Sequence, residues 1–224
     1  MNEKVLIVKL SGAYDQEQFT VPGAYVVDLQ DVEGTSCYCT AIPDIMARLP
    51  EALPRVRFLD SGDYHYMSHL LAGRETEPFH LVLLDHHPDN QEPAFGGVLS
   101  CGCWVKTMQQ ENPLLKSVLT LGPEDCPETV PDGWLEERRG ERLYVSLDKD
   151  IMDRRWARTD WTQGTHTLEQ VKGILARLLE TGQVVALDIC GEIQESKGAT
   201  PEDLRINKET NIELYKLITN FFYV

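Results

Sequence analysis

The sequence predicts an α/β protein built on a mostly parallel central sheet. Three observations carry that expectation: seven short runs rich in Val, Leu and Ile, helical patterns between them, and acidic clusters at the ends of four runs. The runs fall in residues 4–10, 24–29, 56–59, 80–84, 117–121, 142–147 and 183–187. Their apolar character is continuous rather than alternating, as expected of strands covered on both faces.

The connecting elements follow in order. A helix is predicted over 104–110, ending before Pro113, and 122–139 reads as a surface loop because prolines, glycines and charges alternate there. The clearest helix follows Thr167, where Thr167-Leu-Glu-Gln170 has the form of a capping box. Leu168, Val171, Leu175, Leu178 and Leu179 then make one apolar face, and Gly182 follows as a stop. Strand, helix and strand in that order form a βαβ unit, whose crossover is right-handed. A last helix runs through Ile212, Leu214, Leu217, Ile218 and Phe221.

At 224 residues the chain can bury one sizeable core, so a single domain over 1–224 is expected. Its net charge of −15 argues against nucleic acid or an anionic membrane as partner, since neither attracts a field of that sign. No stretch approaches the roughly 20 apolar residues that span a bilayer, and the run near Met1 is too short for a secretory signal. A cytoplasmic location is therefore expected, with homo-oligomerisation left open. The six cysteines, Cys37, Cys39, Cys101, Cys103, Cys126 and Cys190, then read as reduced thiols. Cys37-Tyr-Cys39 and Cys101-Gly-Cys103 lack the spacing of a structural zinc site and are expected to be buried thiols.

Four predicted strands end in polar residues of one kind: Leu59-Asp-Ser-Gly-Asp-Tyr-His65, Leu84-Asp-His-His-Pro-Asp89, Leu147-Asp-Lys-Asp150 and Leu187-Asp-Ile-Cys-Gly-Glu192. In a parallel sheet the C-terminal strand ends share one edge, where open α/β folds place their ligands. So many carboxylates in one place repel one another, and a shared cation keeps them ionised. Along an extended chain Asp85, His87 and Asp89 point to one side and His86 to the other, while Asp148 and Asp150 share a side with Lys149 turned away. Oxygen and imidazole ligands without a thiolate suit manganese or another borderline divalent ion, and two ions are expected. Taken singly, Asp60, Asp63, Asp153 and Asp188 read equally as turn or capping residues. His69, His80, His86 and His166 read as polar or packing residues.

Asp85-His-His87-Pro-Asp89 followed by Ser146-Leu-Asp148-Lys-Asp150-Ile-Met-Asp153 resembles the arginase (ureohydrolase) family, whose signatures are Asp-Ala-His-x-Asp and Ser-x-Asp-x-Asp-x-x-Asp. Gly62-Asp-Tyr-His65 looks like that family's Gly-Gly-Asp-His with one residue inserted, so the resemblance runs from about residue 56 to 192. It implies a three-layer α/β/α domain of arginase/deacetylase-like type holding two Mn2+ ions. Carried over, Asp85 and Asp148 are shared, His65 and Asp89 lie on one ion, and His87 and Asp150 on the other. Glu192 looks like the acid that holds a cationic substrate, though Gly191 occupies its ungapped position. The implied reaction is hydrolysis of a C–N bond in a guanidino, amidino or amide-type small molecule by a metal-bridging hydroxide. Asp89 orients that hydroxide and Glu192 pairs with the substrate.

Departures from the family are specific. Ser100-Cys-Gly-Cys-Trp104 stands where Gly-Asn-x-His-Gly supplies a proton-shuttling histidine, and Arg154 stands where proline follows the third motif. A non-catalytic arginase-fold protein that binds metal or a ligand is thus one alternative. Asp85-His86-His87 also resembles the signature of manganese-dependent DHH phosphoesterases, a weaker alternative because the N-terminal Asp-x-Asp motif of that family is missing before Asp85. A receiver-like domain phosphorylated on Asp85 is disfavoured by length and by the histidine and acid that follow.

Overall fold

In the computed structural model, which describes residues 5–94 and 96–222, nine strands follow one another: β1 Val5–Lys9, β2 Tyr25–Asp28, β3 Tyr38–Cys39, β4 Val56–Phe58, β5 Phe79–Leu84, β6 Leu99–Ser100, β7 Leu115–Leu121, β8 Arg142–Asp148 and β9 Val184–Cys190. Seven of them form one sheet in the order β2-β1-β4-β9-β8-β5-β7, and every neighbouring pair is parallel. All seven expected runs lie in it, although residue 4 of the first falls outside the described residues. The short β3 and β6 pair antiparallel beside it.

Helices cover both faces, giving the three-layer α/β/α arrangement. One face packs α1 (Ala13–Glu17), α6 (Leu168–Glu180) and α7 (Pro201–Phe222) against Val5, Phe58, Val82, Val145 and Ile189. The other packs α2 (Ile42–Arg48), α3 (Met67–Ala72) and α4 (Trp104–Glu111) against Leu6, Leu81, Leu83, Tyr144 and Ala186. Both layers are apolar, which is why the strands read as continuous hydrophobic runs.

The capping box at Thr167 is formed, since Thr167 Oγ1 accepts the Gln170 N–H and the Gln170 side chain accepts the Thr167 N–H. Two expectations change. Residues 122–139 are not all loop, because Asp132–Glu137 forms a short helix, α5, with none of its residues buried. Helix α7 starts at Pro201, earlier than the apolar pattern indicated, because its first turn is exposed and charged. Helices α1, α2 and α3 are each seven residues or fewer, too short to show a periodic stripe.

Removing the Thr167 hydroxyl by Thr167→Ala should cost about 1 kcal/mol, the usual loss for an N-cap. Denaturant unfolding checks this. An unchanged midpoint would show that the box contributes nothing to the α6 layer.

Candidate metal centre

Strand β5 stops at Leu84, and the next five residues turn rather than extend. Asp85 Oδ1 accepts the His87 backbone N–H at 2.6 Å, and Asp89 has a left-handed backbone, φ +45°. The alternation of an extended chain is therefore not what groups the side chains here. Asp85, His87 and Asp89 nevertheless line one cavity, and His86 is not among the residues that line it. The same device repeats after β8, where Asp148 Oδ1 accepts the Asp150 N–H at 2.9 Å and caps a single 3-10 turn. A third such turn, Gly62–Tyr64, absorbs the residue inserted before His65. Non-glycine left-handed backbone of the Asp89 kind costs of order 1–3 kcal/mol and persists where the surroundings hold it. Here Trp104 Nε1 donates to Asp89 Oδ2 at 2.6 Å, and Val105 N–H donates to the Asp89 carbonyl at 3.1 Å.

The six residues expected as metal ligands come together at the C-terminal edge of the sheet. His65 Nδ1 lies 3.0 Å from Asp89 Oδ2, 3.1 Å from Asp85 Oδ2 and 3.7 Å from Asp148 Oδ2. It is buried, and none of these contacts has hydrogen-bond geometry. Its other nitrogen, Nε2, meets Ser146 Oγ at 2.8 Å, and Ser146 in turn meets Ser68 Oγ at 2.9 Å. With Nε2–H donating to Ser146, Nδ1 faces three carboxylates, a point where a proton or a cation in its place is favoured. His87 Nδ1 lies 2.8 Å from Asp150 Oδ2 and 3.6 Å from Asp85 Oδ1, and its Nε2 meets Thr162 Oγ1 at 2.8 Å. Two ligand groups thus form, His65/Asp85/Asp89 and Asp85/His87/Asp150, and they share Asp85. Asp148 adjoins the first through His65. Oxygen and imidazole donors in these groups fit borderline divalent ions.

The cavity that Asp85, His87, Asp89, Asp148 and Asp150 line measures about 260 Å³, with His65 behind its wall. Cys37, Tyr38, Gln91, Ser100, Cys101 and Trp161 complete its walls, and Trp161 is fixed by donating Nε1–H to Asp63 Oδ1 at 3.0 Å. Cys37 and Cys101, read from sequence as plain buried thiols, therefore front the site, and Cys37 is only half-buried.

Glu192 stands elsewhere. It is fully buried, its Oε1 takes the Lys149 ammonium at 2.5 Å and the Asn211 amide at 2.8 Å, and it does not line the cavity. The expectation that Glu192 holds a cationic substrate is therefore corrected. A lysine on the turn between two ligand carboxylates draws it to the opposite face of the sheet. Gly191, at the ungapped position, has φ +96°, and a Cβ there would overlap Asp148 Oδ1 and stand 2.7 Å from Lys149 N. No side chain fits at that point.

A thiol also stands beside these ligands. Cys190, paired with Asp148 across β8 and β9, approaches both His65 and Asp148, with its Sγ 3.3 Å from Asp148 Oδ2. Its signal in the sequence is Leu187-Asp-Ile-Cys-Gly-Glu192, where the cysteine stands between the two acids. Of the single residues read as turn or capping acids, Asp188 differs, because it lies within β9. Asp60 accepts from Leu10 and Ser11 backbone N–H groups, Asp188 pairs with Arg57 and Tyr144, and Asp153 pairs with Arg155.

Electrostatics agree with a cation site. Burial, then Asp150, pushes the Asp148 carboxyl up to about 6, and burial, then Asp85, pushes Asp150 up to about 7. Burial and then Asp89 also raise Asp85. Hydrogen bonds to Asp150 and then Asp85 push the His87 imidazole up to about 10.

No protein-family model matches the chain. An uncharacterized protein of Thermotoga maritima is 29% identical over 196 residues, covering 83% of this chain and 78% of that one. Among solved structures, the Streptomyces clavuligerus proclavaminate amidino hydrolase superposes with a TM-score of 0.67 at 16% identity, covering 96% of this chain and 92% of that one. Agmatine ureohydrolase of Thermoplasma volcanium gives 0.63 at 13%, covering 98% and 91%, and formimidoylglutamase of Bacillus subtilis gives 0.62 at 10%, covering 98% and 87%. The chain has the arginase-like ureohydrolase fold. None of its helices, among the described residues, is long and apolar enough to cross a membrane.

Two outcomes test the centre. Carboxyls raised by burial and an imidazole raised by its carboxylate partners hold protons that compete with a cation, so Mn2+ affinity should climb as pH rises through about 6 to 7, go on climbing toward about 10 as His87 gives up its proton, and fall away at acid pH. Calorimetric titrations at about pH 5.5 and about pH 8 read this; equal affinities would remove Asp148 and Asp150 from the site. Gly191→Ala should displace Asp148 and lower metal content by elemental analysis, and full content would show that the close approach has no bearing on the ligand.

Proposed function

We propose that this chain is a binuclear metal-dependent hydrolase that cleaves a C–N bond of a small molecule. The observation that carries the reading is the pair of ligand groups, His65/Asp85/Asp89 and Asp85/His87/Asp150, built around one shared carboxylate at the mouth of one cavity. The hydrolase names of the structural neighbours support the same class. In this reading Asp85 and Asp148 are shared between two ions, His65 and Asp89 complete one position, and His87 and Asp150 the other. The resemblance makes Mn2+ the first ion to test. Two ions so held supply a water acidic enough to attack at near-neutral pH and polarise the carbon under attack.

The chain's own groups do the rest. Asp89 borders the cavity with Oδ2 tied to Trp104, so its carboxylate is fixed in direction and serves to orient the attacking water and take its proton. Trp161 and Tyr38, each partly exposed, give the cavity flat walls against which a slender substrate aligns. Every carboxylate among the described lining residues belongs to the ligand groups, and Glu192 is committed to Lys149. The cavity therefore lacks a separate anion to receive a guanidinium. This favours a neutral amide over the guanidino and amidino members of the substrate range. A small cationic or amide substrate, with no nucleic acid and no membrane, remains the partner class in the proposal, as does a cytoplasmic setting.

A non-catalytic metal-binding role has one observation in its favour, the replacement of a shuttling histidine by the Ser100–Trp104 stretch, whose Trp104 seals Asp89 instead. The DHH phosphoesterase reading loses support because His86 does not line the cavity.

A screen of metal-loaded protein over acylated amines, amidines and guanidines tests the proposal, with release of carboxylate or ammonia as readout. Turnover that is fastest on the acylated amines is expected; two ions per chain with no turnover would favour the binding protein. Asp148→Asn, which deletes a shared ligand, should remove most metal and all hydrolysis. Unchanged stoichiometry by elemental analysis would sink the assignment of Asp148.

A further inference from the structure

We propose that Cys190 supplies a thiolate ligand to the inner ion of the pair, giving that position a sulfur, nitrogen and oxygen donor set that prefers a softer ion, zinc or ferrous iron, to manganese. The inference rests on the two-metal reading and adds a ligand that the oxygen and imidazole pattern did not contain.

Three observations support it. First, the thiol is placed by the sheet itself rather than by a loop. Cys190 is the last residue of β9, and the parallel register with β8 sets it beside Asp148. Side chains alternate along a strand, so Cys190 shares the face of Ala186 and Asp188, the same face on which Ser146 and Asp148 stand in β8. Second, Sγ, His65 Nδ1 and an Asp148 carboxylate oxygen all lie within 4.8 Å of one another, and Sγ to Asp148 Oδ2 is 3.3 Å. That separation is what two atoms bound to one ion at the usual Zn–S and Zn–O lengths of about 2.3 and about 2.1 Å subtend at a little under tetrahedral angle. Third, His65 Nδ1 is buried and without a hydrogen bond, although it is surrounded by Asp85, Asp89, Asp148 and Cys190. A nitrogen left so, with its partner nitrogen fixed by Ser146, marks the point on which these donors converge.

Cys190 also packs in the apolar layer of α2, α3 and α4, but its Sγ is turned to Asp148 and His65. Burial and then Asp148 raise the thiol, so it stays a neutral donor to Asp148 until a bound cation displaces its proton. Ligation is balanced simply. The S–H bond that now faces Asp148 Oδ2 breaks, its proton leaves to solvent, and the sulfur electron pair is donated to the ion with no change of oxidation state. The outer group, Asp85/His87/Asp150, contains no sulfur, so the two positions differ in softness and are expected to load different ions from a mixture.

Cobalt(II) reports thiolate ligation directly. Metal-free full-length protein is titrated with Co2+ under anaerobic conditions. A sulfur-to-cobalt charge-transfer band in the near ultraviolet should grow with the first equivalent, vanish in Cys190→Ser, and survive in a Cys37→Ser/Cys101→Ser double variant, which controls for the thiols at the cavity wall. Zn2+ affinity should fall in Cys190→Ser by at least the roughly 10–100-fold that losing even an outer-shell partner costs, while Mn2+ affinity stays within about threefold. Cadmium-113 NMR of the loaded wild-type protein asks the same question without a variant, since a thiolate moves the resonance far downfield. Cobalt bound at two per chain with no charge-transfer band, or a band that persists in Cys190→Ser, would overturn the inference and leave the two-metal reading standing. No bound cobalt at all would overturn both.

Discussion

Four buried carboxylates, Asp85, Asp89, Asp148 and Asp150, meet at one edge of a parallel sheet, and much of the rest of the molecule answers their mutual repulsion. Desolvation already raises all four, and each raises a neighbour further. The chain supplies partial compensation through donors aimed at them: backbone N–H groups of His86, His87 and Asp150, the Trp104 indole, and the His87 imidazole. Of these only the His87 imidazole, pushed up to about 10, carries charge at neutral pH. A lysine does stand between Asp148 and Asp150, yet its ammonium is led to the far face, where Glu192 and Asn211 hold it. The edge is thereby kept electronegative and free of a lysine ammonium, a condition that favours holding metal ions.

Lys149 and Glu192 form a strut beneath the site. Lys149 belongs to the turn that carries two ligand carboxylates, Glu192 follows β9, and Asn211 belongs to α7, so one buried cluster ties three elements together. Burying such a pair gains little net stability, but breaking one is costly because the remaining charge is left unpaired. Its effect here is positional. It fixes the turn from below while Asp148 caps it from above. The glycines do complementary work: Gly191, where a Cβ would meet Asp148, and Gly122, with φ +121° against the Asp85 carbonyl, let backbone approach the ligands as closely as it does.

Much of this was legible in the sequence because the signals are local. Continuous apolar runs gave seven strands of the sheet, Thr167-Leu-Glu-Gln170 gave the start of α6, and acids at strand ends gave the edge on which the site lies. His65, Asp85, His87, Asp89, Asp148 and Asp150 do converge, although by tight turns and a left-handed Asp89 rather than by the alternation of an extended chain. What escaped depends on contacts across the sheet. The direction of Glu192 is decided by Lys149 on the turn after β8 and Asn211 nearly twenty residues onward, and no spacing rule reports that. Cys190 matters only through its register with Asp148, which is a property of strand pairing. Short helices such as α3 were invisible because one or two turns hold too few residues to show a period.

In the proposed reading this edge holds two ions around the shared carboxylates Asp85 and Asp148. A crystal structure of metal-loaded protein with anomalous data collected at the absorption edge of the bound ion tests it most directly. The account expects two anomalous peaks, one beside His65 and Asp89 and the other beside His87 and Asp150, with Asp85 and Asp148 between them. A single peak, or peaks that leave Asp85 and Asp148 unligated, would contradict it.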